Sequence, residues 1–386
     1  MQPHKLLRGV LMKKVFAAVL CAVMLFVCPF SVCAESAPAP SAKAYVLYCV
    51  ENEKIILSKN ENTRMKPAST TKLMTTLLTL EEAAKNDRVI TFTADMVAEG
   101  SSMYLEVGEK LRLSDLAVGM MMCSGNDAAN AAAISVSGST EKFANLMNTR
   151  ARQIGMENTH FVTPSGLDDD DHYSTAYDLA LLMAEGLRNE AFANLTFQKS
   201  VSVSFTEPSD KKITYANHNR LLSLYDDCIG GKTGYTSAAG RCLVSAARRN
   251  GVTLVCVTLD DRSDWNDHMA LYDCGFSRLS GFASADSALC IDLPCVGGEQ
   301  DMVAVMGESD TALVVENDRA KDIRRTVYLD NFVYAPVEEG EQLGRIDYTL
   351  DGKTLKSVPL IAVNGVKVKE VKKNLFQKIK ELFTYG

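Results

Sequence analysis

The sequence predicts an α/β (α+β) fold in which strands bracket a helix-rich middle, followed by a small all-β domain. Three observations predict it. Strand-type runs with turn residues between them occur near residues 44–57 and again at 241–259. Between them, residues 67–80 and 114–154 carry apolar residues at helical spacing. From about Ala283 the pattern changes to short alternating segments separated by turn pairs.

Taken in order, the chain opens with a segment that does not belong to the fold. Lys5, Arg8, Lys13 and Lys14 are basic, residues 15–30 are almost wholly apolar, and Val32-Cys33-Ala34 offers small residues for a signal peptidase. We expect residues 1–34 to be a signal peptide cleaved after Ala34, with Met12 as an alternative start. The competing reading is an uncleaved membrane helix, but the apolar stretch falls short of the ~20 residues a span prefers and contains Pro29. Residues 36–44, with Pro38 and Pro40, read as a flexible lead.

Residues 44–50 and 54–57 form a predicted hairpin around Glu51-Asn52-Glu53. Pro67 then opens a helix with Leu73, Met74, Leu77, Leu78 and Leu80 as its apolar face, so Ser69 and Lys72 fall in its first turns. In the all-helical stretch, Ser114 is the expected cap of one segment, Asn126 opens a second, and Ser139 or Thr140 a third. Thr175-Ala176-Tyr177-Asp178 reads as a capping box. Residues 241–247 and 252–259 flank Asn250-Gly251, a strong hairpin signal, and a closing helix is expected over 263–276.

Beyond that, residues 302–305, 312–315, 326–333 and 344–350 read as strands, with Glu339-Gly340 and Asp351-Gly352 as turns. In the last stretch Val368, Val371, Leu375, Ile379 and Leu382 recur at helical spacing with Phe376 and Phe383, among six lysines and two glutamates. That is a basic amphipathic helix, the pattern of a membrane-surface anchor; the alternative is a helix docked on its own protein. The expected organisation is thus a catalytic domain at 35–280, a β-rich domain at 283–366 and the amphipathic helix at 367–386.

The formal net charge of -7 gives no sign of nucleic-acid binding. Eight of the eleven cysteines follow Ala34 and most sit among apolar neighbours, which reads as buried small hydrophobes; one pair, Cys290 with Cys295, stays open.

Three short strings carry the chemistry: Ser69-Thr70-Thr71-Lys72, Ser124-Gly125-Asn126 and Lys232-Thr233-Gly234. Each is weak alone. A serine hydroxyl is a poor nucleophile until a base sits beside it, and a lysine three residues along a helix lies on the same face. Ser69 is therefore the candidate nucleophile, near a helix N-terminus whose dipole and N–H groups favour developing negative charge. Lys72 is the candidate base, which requires its pKa to fall from ~10.4 toward ~7–8 through burial and a second cation, Lys232. Ser124 is a candidate proton relay to a leaving amine. Asn126 is placed to donate to a substrate amide and hold Lys72, although it also reads as a helix cap. Lys232 and Thr233 suit a substrate carboxylate, and Gly234 lets an extended ligand approach the backbone. The N–H groups of Tyr235 and Ser69 would form an oxyanion hole.

With its surroundings the triple resembles the penicillin-recognising serine acyltransferases, and most closely the low-molecular-weight penicillin-binding proteins that act as D-alanyl-D-alanine carboxypeptidases. Pro67 to Thr75, Ser124-Gly125-Asn126-Asp127-Ala128, Thr163-Pro164-Ser165-Gly166-Leu167, His172 to Ala176 and Gly231 to Thr236 carry the likeness, over about residues 45–276. It weakens toward Ala362, where Ala335 to Gly340 and Pro359-Leu360 resemble that family's β-rich C-terminal domain; the terminal helix resembles its membrane anchor. The resemblance implies an antiparallel sheet flanked by helices, with a helical subdomain holding Ser124. It implies an exported enzyme that removes the terminal D-alanine from peptidoglycan stem peptides through an acyl-enzyme, is acylated by β-lactams, needs no cofactor or metal, and sits on the outer surface of the cytoplasmic membrane. A β-lactamase is one alternative, though no Glu-x-x-x-Asn string of the class A kind lies between Ser124 and Lys232. A non-catalytic penicillin-binding sensor or scaffold is another. Cys123 departs from the pattern by placing a thiol beside Ser124.

Other candidates carry less. Asp168 to Asp171 read as a solvated loop rather than a calcium site, which needs alternating ligands and a distant glutamate. No His-Glu-x-x-His string supports a zinc carboxypeptidase. His218 reads first as a packing or loop residue, with a place lining the pocket as the alternative, and Arg220 and Arg241 as carboxylate binders without a place in the fold.

Overall fold

The computed structural model describes residues 38–370; the expected signal peptide, and residues 371–386 of the expected C-terminal helix, lie outside the described residues. Strands β1 (Ala44–Cys49) and β2 (Lys54–Lys59) form the first hairpin. A 3-10 turn over Ala68–Thr71 leads into α1 (Lys72–Lys85). A short pair, β3 (Val89–Thr91) and β4 (Lys110–Arg112), precedes α2 (Leu113–Met122), α3 (Asn126–Ser137) and α4 (Thr140–Ile154). Next come α5 (Ala176–Arg188), α6 (Glu190–Phe197), the hairpin β5 (Ser200–Ser204) and β6 (Lys212–Ala216), and the single turn α7 (Leu221–Leu224). Strands β7 (Cys228–Thr236), β8 (Gly240–Arg249) and β9 (Val252–Leu259) and helix α8 (Asp264–Arg278) complete this part.

The central sheet is antiparallel in the order β2-β1-β9-β8-β7. Every residue of β1 and β9 is buried because both faces are covered. Alternate side chains point to opposite faces. Val46, Tyr48, Val255 and Val257 pack with helices α1 to α5, whereas Leu47, Cys49, Leu254 and Cys256 pack with Leu271, Tyr272 and Phe276 of α8. One sheet thus separates two cores, and β7 is its edge, free to line a site. The Asn250-Gly251 turn joins β8 to β9 with φ of +49° and +77°, as a tight hairpin with primed-type twist requires.

Two local expectations shift. Ser114 is not the cap of α2: the helix begins at Leu113 after Arg112, whose N–H donates to Asp115, because Asp87 takes both the N–H and the hydroxyl of Ser114. Thr175 does cap α5, its hydroxyl accepting from the Asp178 N–H at 3.0 Å, while the Asp178 carboxylate turns to Asn158 and Thr159.

The second part comprises β10 (Leu279–Ser284), β11 (Ile291–Val296), β12 (Met302–Gly307), β13 (Thr311–Glu316), β14 (Arg324–Leu329), β15 (Val333–Tyr334), β16 (Gln342–Leu350) and β17 (Lys353–Ala362). Six of these form a sheet ordered β14-β16-β17-β12-β11-β15, and β10 pairs with β13. Their core includes Leu293, Val303, Val305, Ile346, Tyr348, Val358 and Leu360. The run 326–333 is broken: β14 ends at Leu329, and β15 pairs instead with β11 at the opposite edge. The helix expected from Lys367 does not begin there. Val368 bridges Gly298 and the Lys369 N–H donates to the Gly297 carbonyl at 2.8 Å, so residues 367–370 are extended. Among the described residues no helix is long and apolar enough to cross a membrane. All eight cysteines among the described residues are unbridged, Cys290 exposed and Cys295 in the β-domain core.

Candidate active site

Three segments converge at the edge strand β7. The first is the turn before α1. Ala68 holds a left-handed backbone (φ +49°), a conformation that costs an alanine about 1 kcal/mol, and it aims Ser69 outward. The Thr70 hydroxyl ties the turn by donating to the Pro67 carbonyl at 2.7 Å. Lys72, the first residue of α1, is fully buried. Its Nζ lies 3.0 Å from Ser69 Oγ, 2.6 Å from Asn126 Oδ1 and 2.7 Å from the Ser165 carbonyl oxygen.

The second segment is the sharp reversal between α2 and α3. The Gly125 N–H closes it on the Gly119 carbonyl at 3.1 Å, and Ser124 is also left-handed (φ +60°). Asn126 begins α3 but does not cap it; its amide donates to the Glu99 carbonyl at 2.7 Å while its oxygen takes Lys72. Its neighbour Asp127 fixes the adjoining loop by accepting from Ser102 Oγ and from the N–H groups of Met103 and Leu105.

The third segment is β7. Lys232 is 1 % exposed, and its ammonium donates to Ser124 Oγ at 3.1 Å and to the Thr233 carbonyl at 2.9 Å. Gly234 passes so close to the Ser69 turn that a Cβ there would stand 3.0 Å from the Ser69 and Thr70 nitrogens and the Pro67 oxygen. Any other residue would push β7 away from the nucleophile. Tyr235 stands outward, 67 % exposed.

These segments frame a cleft of about 330 Å³. Ser69, Ser124, Thr233, Gly234 and Tyr235 line it, together with Ser101, His218, Arg241, Cys242, Asp264 and Trp265. Burial holds Lys72 well below the usual lysine range, and the Lys232 charge pushes it further down; Cys123 and Asp127 oppose both. Lys232 is lowered to about 8, also by burial. The Cys123 thiol goes the other way, up to about 11, because burial and the Asp127 charge disfavour the thiolate.

All eight residues singled out in the sequence therefore gather at one place, with two differences of detail. Lys232 reaches back to Ser124 beneath the cleft rather than into it, so Thr233 is the exposed half of that pair. Ser124 bonds Lys232, whereas Lys72 is held by Asn126 and Ser165. His218 lines the cleft, the second of its two readings, and burial and the Lys232 charge lower its pKa. Arg241 does find a place: opposite Tyr235 on β8, it donates through Nε and one Nη to the carboxylate of Asp264 at 2.7–3.1 Å. Arg220 is exposed and does not line the cleft. The Ser165 carbonyl was not foreseen as a contact of the base, since a backbone oxygen leaves no mark on residue type. Asp168 to Asp171 form a largely exposed loop, with Asp168 accepting from Thr236 Oγ1 at 2.9 Å.

A hydroxyl on an open cleft, an amine 3.0 Å from it whose pKa burial lowers, and a second amine behind are the parts of a serine acyl-transfer site. Comparison with known proteins agrees. A family profile described as D-alanyl-D-alanine carboxypeptidase matches residues 31–263. The chain belongs to the D-alanyl-D-alanine carboxypeptidase family. A second profile, Penicillin-binding protein 5, C-terminal domain, matches residues 284–368. D-alanyl-D-alanine carboxypeptidase DacF of Bacillus subtilis is 30% identical over 372 residues, covering 92% of this chain and 95% of the relative. DacC of Escherichia coli is 31% identical over 349 residues, covering 86% and 85%. Among solved structures, penicillin binding protein 5 from Haemophilus influenzae superposes with a TM-score of 0.66 at 28% identity, covering 86% of this chain and 98% of that one. An S216A mutant of the Streptomyces K15 DD-transpeptidase superposes at 0.60 with 30% identity, covering 62% and 99%. The carboxypeptidase fold is thus the penicillin-recognising transpeptidase-like one, with the C-terminal sheet domain found in penicillin binding protein 5. The protein is a serine-type D-Ala-D-Ala carboxypeptidase of this family.

Proposed function

We propose that Ser69 attacks the carbonyl between the last two D-alanines of a peptidoglycan stem peptide, with Lys72 as the base. The observation that carries this is the 3.0 Å separation of Lys72 Nζ and Ser69 Oγ in a pocket whose burial lowers the lysine pKa. The Ser69 proton passes to Lys72 as the Oγ–carbon bond forms, and the oxyanion is held by the N–H groups of Ser69 and Tyr235. The amine of the departing D-alanine takes a proton through Ser124, which Lys232 polarises at 3.1 Å. Asn126 orients Lys72 and donates to the substrate amide. Thr233 takes the C-terminal carboxylate, with Lys232 supplying charge from below; Arg241 adds a second cation on the same cleft. Gly234 keeps the strand close enough for an extended peptide to lie against it. Water then attacks the ester, releasing the shortened peptide; β-lactams enter as mimics of the scissile amide, their ring opens on attack by Ser69, and the ester they leave is hydrolysed slowly.

The setting follows from the chain ends. The basic, then apolar, N-terminal segment with small residues at 32–34 supports export through a cleaved signal. The amphipathic pattern beyond Glu370 supports attachment to the outer face of the cytoplasmic membrane, each lysine near an anionic surface contributing about 1 kcal/mol. The domain limits that fit this reading are 35–280 and 283–366, with the amphipathic segment following Glu370.

Two measurements test it. The purified protein should release free D-alanine from a peptide ending in D-Ala-D-Ala and keep a long-lived penicillin adduct on Ser69. Rapid loss of the adduct would favour a β-lactamase, and no D-alanine release a non-catalytic scaffold. Deleting residues 371–386 should free the protein from membranes while leaving activity on a soluble peptide intact; continued sedimentation with membranes would refute the anchor.

A further inference from the structure

His172 lies outside the three motifs, and it is 2 % exposed against the loop that carries Ser165. Its Nδ1 accepts from the N–H groups of Val162 at 3.0 Å and Thr163 at 3.2 Å. A nitrogen that accepts twice carries no hydrogen, so Nε2 holds the ring proton and donates it to Thr71 Oγ1 at 2.9 Å. The ring also meets Phe161 edge to face at 5.8 Å. One imidazole therefore joins the start of the loop to the residue that precedes Lys72.

The same loop grips the nucleophile's helix at further points. The Pro164 carbonyl accepts from Thr75 Oγ1 at 2.6 Å and the Ser165 carbonyl from Lys72 Nζ at 2.7 Å. Gly166 (φ +82°) presses on the strained Ala68: a Cβ there would stand 1.9 Å from the Ala68 oxygen. Thr163 Oγ1 closes the loop on the Gly166 N–H at 3.1 Å.

We propose that His172, in its neutral Nε2–H form, is a positioning residue that locks this loop over Lys72, fixing the Ser165 carbonyl and keeping water from the base. The inference rests on Lys72 acting as the base. His172 touches neither substrate nor reacting atoms; it acts through Thr71 and Ser165. The charged and titratable groups around His172 are Asp168, Asp169, His160 and Lys66, and around Lys72 they are Lys232, Cys123 and Asp127. If the loop lifts, water reaches Nζ. Burial is the largest cause of the low lysine pKa, so the amine then protonates at higher pH and the acylation rate begins its rise later.

The test is the rate of penicillin acylation against pH, with the melting temperature measured alongside, in the full chain. His172→Phe keeps a ring against Phe161 but loses both nitrogen roles. It should acylate roughly tenfold more slowly at pH 7 and shift the rising limb up by about one pH unit. Thr71→Val breaks only the helix side and should give a smaller shift in the same direction. His172→Gln, whose amide can donate to Thr71 and accept from the loop, should recover most of the rate. A merely structural histidine would lower the melting temperature of both His172→Phe and Thr71→Val and leave the limb in place, and that result overturns the proposal. Should His172→Phe fail to fold, an unshifted limb in Thr71→Val overturns it alone. A Lys72→Ala control that acylates at the parental rate would remove the base assignment itself, a failure distinguishable from that of His172.

Discussion

The two faces of the central sheet carry buried polar clusters of similar chemistry and opposite use. In front, Ser69 sits 3.0 Å from Lys72 Nζ. Behind, Ser245 on β8 lies 2.7 Å from His268 Nδ1 and 2.6 Å from the Tyr272 hydroxyl, and His268 Nε2 meets Thr258 Oγ1 at 3.1 Å. On residue types alone the rear cluster is the better serine–base pair. It is nonetheless sealed: Ser245, Thr258, His268 and Tyr272 are each 0 % exposed and none lines the cleft. The front differs in three respects. Ser69 opens on the cleft, the backbone is strained at Ala68 and Ser124, and a second cation lowers the pKa of the base. None of the four rear residues has a positive φ. Access, strain and field, rather than the serine–base pair itself, separate a site from a structural knot.

The comparison breaks most plainly at the two serines. Ser69→Ala should abolish the covalent penicillin adduct, read by mass spectrometry of the intact protein. Ser245→Ala should keep the adduct and its rate of formation within about twofold, losing only stability, by about 1–3 kcal/mol for the partners left unpaired. An adduct on the Ser69→Ala protein would move the nucleophile elsewhere. The base gives the next largest effect. Lys72→Ala should cut acylation by about 10³-fold or more. In the parent, acylation should fall as pH drops through the lowered lysine pKa, because only the uncharged amine can accept the hydroxyl proton. A flat rate from pH 5 to 9 would argue against a lysine base.

How much of this was legible depended on the kind of signal. The front cluster was, because Ser69, Ser124 and Lys232 lie in compact strings whose residue types state their chemistry. The hairpin at Asn250-Gly251 was legible because the turn demands φ > 0 at both positions. Strand β17 was not: Pro359 lies within it opposite Arg345, and a proline argues against a ladder strand unless its neighbour needs no N–H. The β5–β6 hairpin escaped because its alternation is serine and threonine with few large apolar residues. Arg241 was visible as a charge but not as a cleft residue, since its place depends on Asp264, 23 residues away, reaching back from the start of α8. The roles of Ser165 and His172 rest on a carbonyl and a tautomer, which composition cannot express.

Lys232 sharpens the comparison because the rear cluster has no counterpart to it. Lys232→Ala should slow acylation roughly 10²-fold and move its rising limb to higher pH. A nearby cation disfavours protonated Lys72, so its removal lets Lys72 hold its proton to higher pH. An unchanged rate and limb would show that the two lysines do not interact.

Acid separates the faces by stability rather than rate. Burial lowers His268 to about 3 and His172 to about 4, against an ordinary value near 6.5. The unfolded chain therefore binds these protons first. Their contribution is complete above pH 6.5 and is lost as pH falls toward the folded values, by about 1.4 kcal/mol per pH unit for each ring. Unfolding followed from pH 7 to 4.5 should show a steep loss. His268→Gln, with no group to titrate, should be less stable at pH 7 but flatter across this range. An equal slope in both proteins would mean that the rear histidine is already protonated in the fold.

The smallest effect belongs to Thr258→Val, which keeps the side-chain shape and removes one hydroxyl from the rear knot. His268 Nε2 then loses its partner at 3.1 Å, while Nδ1 keeps Ser245. The expected loss is about 1–2 kcal/mol, at the lower end because a neutral ring tolerates one unpaired nitrogen better than a charge. Penicillin acylation and its pH dependence should not move, since Thr258 lies on β9, with β8 between it and the catalytic strand. A slowed acylation at unchanged stability would mean that the sheet transmits rear packing to β7, and the two faces could no longer be treated as separate.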